Sequence, residues 1–165
     1  MNRRQFIFGI SGAVALLGMA PAGHAECGAV GAIEFVEGVY QRQAELLAAN
    51  LAPDDKELYA QFSRRLRTSM QAPRRKRPTE PPGPLLNAFF GWGVLPRTAI
   101  KVEKATLMAG RDDGPATVRV DFRHHDEIHQ SFVRAVRQRE AWRIANISYD
   151  SGKSLVEHYR ALAGR

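Results

Sequence analysis

Near residue 97 the spacing of apolar residues changes from every third or fourth to every second, and this change limits what the chain can fold into. Before it, Ile33, Val36, Tyr40, Leu47 and Leu51 share one face of a helix predicted over 33–51, with Arg42, Gln43 and Glu45 on the other. Ala52-Pro53-Asp54 punctuates the chain, and Asp54 suits the N-cap of a second helix. In that helix Leu58, Phe62, Leu66 and Met70 recur every four residues, with Arg64, Arg65 and Arg67 off the stripe. After the change, Ile100 and Val102, with Ala105 and Leu107, begin a strand, and Arg111 to Pro115 has the chemistry of a hairpin turn. Val118, Val120 and Phe122 then alternate with Arg119, Asp121 and Arg123. A polar connection is expected over His124–His129, a third strand over Ser131–Val136 and a turn over Gln138–Ala141. Trp142 and Ile144 open a fourth strand, and Ile147 and Tyr149 fall out of step with them, which predicts a β-bulge. A last short helix opens at Ser154 and buries Leu155, Tyr159 and Leu162. Helices followed by hairpin-linked strands make an α+β domain, a helix pair packed on one face of a four-stranded antiparallel sheet.

Between the two halves the pattern dissolves. Six prolines (Pro73, Pro78, Pro81, Pro82, Pro84 and Pro96) exclude long regular elements from 71–96. Only Leu85–Phe90 is predicted as a short helix, tucking its apolar residues inward. A loop of this length is either functional or merely mobile. The single domain is expected to run over 33–163, after a short linker at 26–32.

The N-terminus reads as an address. Arg3 and Arg4, a spacer and Phe6 resemble the recognition box of twin-arginine signals, although Asn2 and Phe8 depart from its strict pattern. An apolar stretch from Phe6 to Ala20 follows, too short to span a bilayer comfortably. Gly23-His24-Ala25 supplies the small-x-small pattern that signal peptidase cleaves. A signal peptide over 1–25 implies passage through the twin-arginine translocase, cleavage, a periplasmic or secreted location and no membrane span afterwards. Glu26 before Cys27 argues against a lipoprotein, and a single cysteine cannot form an internal disulfide. Of 24 basic residues, Arg3 and Arg4 leave with the signal, so 22 remain against 17 acidic, a net charge of +5. That balance permits attraction to acidic surfaces without requiring nucleic acid, and the basic run lacks the interleaved aromatics or reading helix such binding needs.

A helix pair, a proline-rich middle and a meander ending in Trp142-Arg143-Ile144-Ala145-Asn146-Ile147 resemble the cone-shaped fold of nuclear transport factor 2-like proteins. Within that superfamily the chain is similar to the small exported bacterial proteins of domain of unknown function 3828. The likeness spans Ile33 to Leu162 and includes Ser154-Leu155 opening the last helix. It implies a curved sheet with a cavity beneath it. Superfamily members use that cavity for small ligands and, as in ketosteroid isomerase, for catalysis. The family brings no established activity, and fold likeness alone assigns none here.

No catalytic residue, cofactor or metal site is assigned from the residues. His124-His125-Asp126-Glu127 with His129 is the most metal-like cluster, with His125 and His129 expected on one face and His124 opposite, but a solvated turn is the simpler reading. Tyr40, Trp92, Trp142 and Tyr149 are the candidate pocket-lining residues. The run from Arg64 to Arg77 holds seven basic residues and no acid, with Arg74, Arg75, Lys76 and Arg77 as a candidate docking patch. Three functions follow. The leading one is a non-enzymatic binding domain for an unidentified ligand or envelope protein, with a small apolar molecule under the sheet. The others are an isomerase- or hydratase-like enzyme using the same cavity, and an envelope-docking protein acting through 64–77.

Overall fold

The computed structural model describes residues 28–76, 87–91, 98–111 and 114–164. The expected signal peptide, Trp92 and Arg77 lie outside these. Helix α1 spans Ala29–Ala48. It begins before the expected Ile33, so part of the stretch read as linker is helical, and Ala29 and Ala32 are buried. Its buried face runs through Ala32, Val36, Val39, Tyr40 and Ala44, while Leu51 lies exposed beyond its end. That end is a Schellman motif: Asn50 takes the left-handed conformation at φ 55°, the Leu51 amide donates to the Leu46 carbonyl (2.8 Å), and the Asn50 amide to that of Leu47 (3.1 Å).

The expected second helix is two. Helix α2 covers Asp55–Ala60 and α3 covers Arg64–Lys76. Asp54 caps α2 as expected, its carboxylate accepting from the amides of Lys56 (2.8 Å) and Glu57 (3.1 Å). Between the helices, Phe62 bridges to the sheet, the Ile144 amide donating to the Gln61 carbonyl (2.9 Å) and the Ser63 amide to the Ile144 carbonyl (2.8 Å). Four-residue spacing survives the break because Phe62 and Leu66 still face one core, both almost wholly buried. Helix α3 also runs through Pro73 to Lys76, into the segment expected to be irregular.

Strands β1 (Ile100–Ala109), β2 (Ala116–His124), β3 (Glu127–Gln138) and β4 (Ala141–Tyr149) pair in chain order as an antiparallel meander. The polar connection expected over 124–129 contracts to the two-residue turn His125-Asp126, with His125 at φ 54°. Alternation simply continues into polar residues at this end of the sheet, so pairing continues with it. The predicted bulge is present: Arg134 faces Asn146 while Ala135 faces Ile144, which leaves Ala145 as the extra residue. Because of it, Ile144 and Ile147 both point inward and both are fully buried.

The inner face carries Val118, Val120, Phe122, Val133, Ala135, Ile144, Ile147 and Tyr149, closed over by α1, Phe62 and Leu66. Helix α4 (Leu155–Ala163) starts at a capping box, in which Ser154 Oγ accepts from the Glu157 amide and the Glu157 carboxylate accepts from the Ser154 amide (3.0 Å). Leu155 is its fully buried residue, and Tyr159 and Leu162 are half-buried. The helices do not all sit on one face. Helices α3 and α4 pack on each other beside β4, and the Val156 amide donates to Oδ1 of Asn146, a residue in step with outward-facing Arg134 (3.1 Å).

Candidate functional site

Residues 87–91 form a tight loop under the sheet. Asn87 Oδ1 accepts from the amides of Phe89 (3.0 Å) and Phe90 (3.1 Å), and the backbones of Asn87 and Gly91 pair across the loop. Gly91 sits at φ 86°, and an added Cβ would meet the Tyr149 ring at 3.3 Å. The loop drives two rings into the space between α1 and the sheet. Phe89 stacks on Phe62 with centroids 5.6 Å apart, Tyr40 meets Phe89 and Phe90 edge-on at 5.7 and 5.5 Å, and Phe90 abuts Phe122 at 5.2 Å. The open cavity expected beneath the sheet is therefore filled by aromatic side chains of the chain itself.

The polar groups in this chamber turn toward the same loop. Tyr149 Oη donates to the Ala88 carbonyl (2.7 Å) and Ser131 Oγ to the Phe89 carbonyl (3.3 Å). Tyr40 Oη is buried beside Ser131, its one polar neighbour among the described residues, in a contact short of good hydrogen-bond geometry. Burial holds the Tyr40 hydroxyl well above the ordinary tyrosine range, and burial together with Tyr40 and Tyr159 does the same to Tyr149. Both stay protonated at neutral pH, as hydrogen-bond donors rather than general bases.

At the open end of the chamber a cavity of about 150 Å³ remains, lined by Phe90, Phe122, His129, Ser131, Tyr149 and Asp150 among others. His129 lies over Phe122, and its Nδ1 is 3.2 Å from the Asp150 carboxylate. The turn reverses the expected pairing of histidines: His124 and His129 lie on the inner face with centroids 6.0 Å apart. Partial burial, then His125 and His129, holds His124 below the ordinary histidine value, with Glu127 acting the other way. Among the described residues no group of three or more His, Cys, Asp or Glu is arranged to hold a metal ion.

Of the expected pocket residues, Tyr40 and Tyr149 are in the chamber. Trp142 is buried at the far end of β4, opposite Arg137, and does not line the cavity. Asp121, the carboxylate an isomerase would need inside, shares the outer face with Arg119, 3.2 Å away. Arg74, Arg75 and Lys76 end α3. Sequence reasoning missed Ser131 as a lining residue, took His129 only as part of a metal-like cluster, and missed Asp150. Strict alternation from Val133 back to Ser131 and His129 is the signal that places the first two inside.

Comparison with family models and with curated proteins finds no match. Among solved structures the chain is similar to a phospholipid-binding protein from Ralstonia solanacearum, solved in complex with a phospholipid, at 14% identity and a TM-score of 0.37, covering 76% of this chain and 69% of that one.

Proposed function

We propose that this chain is an exported, non-enzymatic binding domain of nuclear transport factor 2-like architecture, whose small ligand takes the place of the Phe89–Phe90 loop under the sheet. One observation carries the reading. The hydroxyls of Tyr149 and Ser131 are spent on backbone carbonyls of the loop, and the buried Tyr40 hydroxyl beside them has, among the described residues, only the Ser131 hydroxyl as a polar neighbour. Three convergent hydroxyls in an apolar chamber are the usual furniture of a ligand site. The loop offers aromatic rings and two carbonyl acceptors. A ligand replacing it offers the same: an apolar, ring-sized body with a carbonyl or carboxylate.

Size agrees. A cavity of about 150 Å³ admits a molecule as large as benzene. Withdrawing the aromatic loop enlarges it toward the lower end of small-molecule sites, about 300 Å³. The carboxylate at the cavity is Asp150, which sits at the open end and is paired with His129 (3.2 Å), while the hydroxyls deeper inside face the loop, an arrangement suited to holding a ligand.

Native mass spectrometry of protein purified from the periplasm tests the reading. The expected result is an adduct of a few hundred daltons that dissociates on unfolding and is diminished in Tyr40→Phe. A bare chain that also fails to take up added indole-3-carboxylate would refute it.

A further inference from the structure

A second hollow lies on the opposite side of the sheet, where α3 and α4 lean over the outward face of β3 and β4. Its volume is about 500 Å³, within the range of sites that hold small molecules. Three arginines line it, and each comes from a different element: Arg65 from α3, Arg134 from β3 and Arg160 from α4. All three are exposed, and among the described residues none is paired with a carboxylate. The acid on the wall is Glu157, and its carboxylate is committed to the α4 cap, accepting from the Ser154 amide (3.0 Å) and hydroxyl (2.9 Å). Val136 and Val156 give the hollow an apolar floor.

We infer that this hollow binds an amphiphile with an oxyanion head, the guanidinium groups of Arg65, Arg134 and Arg160 taking the head and the valine floor taking a short apolar tail. Three cations gathered from distant points of the chain repel one another unless an anion joins them. Planar guanidinium groups pair bidentately with phosphate or carboxylate, which gives the head its geometry. A free inorganic anion would leave the floor unused, and a neutral apolar molecule would leave the arginines unused. The inference is independent of the chamber under the sheet, whose cavity shares no lining residue with this hollow.

Isothermal titration of the mature protein with hexyl phosphate and with inorganic phosphate tests it. Hexyl phosphate should bind at least about tenfold more tightly than inorganic phosphate, the gain from burying some two methylenes. Its affinity should weaken as salt is raised. In the double variant R134Q/R160Q it should fall about tenfold or more, with the melting temperature within a degree or so of the wild type, since both side chains are exposed. Equal affinity for the two ligands would overturn the amphiphile. Unchanged affinity in the double variant would overturn the site. Binding only to vesicles containing anionic lipid, with none to soluble hexyl phosphate, would mean surface attraction and would overturn it too.

Discussion

Truncating Phe90 separates a ring that merely fills the core from one that stands in for a ligand. Phe90 is 5% exposed and meets Tyr40 and Phe122 edge-on. Buried Phe→Ala changes cost about 3–5 kcal/mol, and this one falls near the lower end because its ring borders an existing cavity that water can enter. A loss of about 3 kcal/mol lowers the melting temperature by roughly 10 °C, and a stability of about 5–15 kcal/mol leaves Phe90→Ala folded. Urea unfolding should therefore show a lower midpoint with an unchanged slope. An aromatic carboxylate such as indole-3-carboxylate should then refill the space. At a hundred times its Kd it returns about 2.7 kcal/mol, nearly the whole deficit, and it should stabilise the variant far more than the wild type. A loss below about 1 kcal/mol would show that the ring is not part of the core. A full loss with no ligand-dependent recovery would show that the chamber does not accept what the loop vacates.

Four further outcomes are expected. Gly91→Ala should destabilise by about 1–2 kcal/mol in urea unfolding, since it combines a positive φ with a Cβ 3.3 Å from the Tyr149 ring. Ser154→Ala removes the hydroxyl half of the α4 capping box and should cost about 0.5–2 kcal/mol, with hydrogen exchange quickening first in Leu155–His158. Deleting Ala145 removes the bulge and leaves Ile144, Ile147 and Tyr149 in strict alternation on the inner face, so circular dichroism should still show a cooperative unfolding transition. Because His124 titrates below its unfolded value of about 6.5, the folded state binds the proton less well. Stability is then full above about pH 6.5 and falls as the pH drops below it, and His124→Gln should flatten that part of the curve.

The register of the sheet was legible because side chains alternate with a period of exactly two along a half-buried strand. Val118, Val120 and Phe122 set one face, and the mismatch of Ile144 with Ile147 marks the bulge in the sequence itself. Helix spacing was a coarser guide. Leu58, Phe62, Leu66 and Met70 fit one helix, yet the backbone between Gln61 and Ser63 gains more from pairing with Ile144 than from continuing the helix, and a four-residue period cannot report that. The loop at 87–91 was hidden for a related reason. Apolar residues in a proline-rich stretch signal burial but not where, so Phe89 and Phe90 were read as tucked inward without a destination. His124 and His129 depended on the length of a turn. Two residues place them together, whereas the longer connection expected from their polarity would have parted them. The arginine hollow joins residues 65, 134 and 160, and no local pattern connects positions so far apart.

The short strap around Phe62 also bears on how copies of this protein meet. By occupying the amide and carbonyl of Ile144, it fills the outer margin of β4 at the bulge, where a passing strand from another molecule would otherwise dock. At the opposite margin, β1 interrupts its pairing register twice and carries Lys101, Glu103 and Lys104 close together, a poor template for a newcomer. Neither border of the sheet invites extension. Crowded solutions of the folded protein should therefore resist fibre growth, and variants that loosen the strap should be the first to lose that resistance.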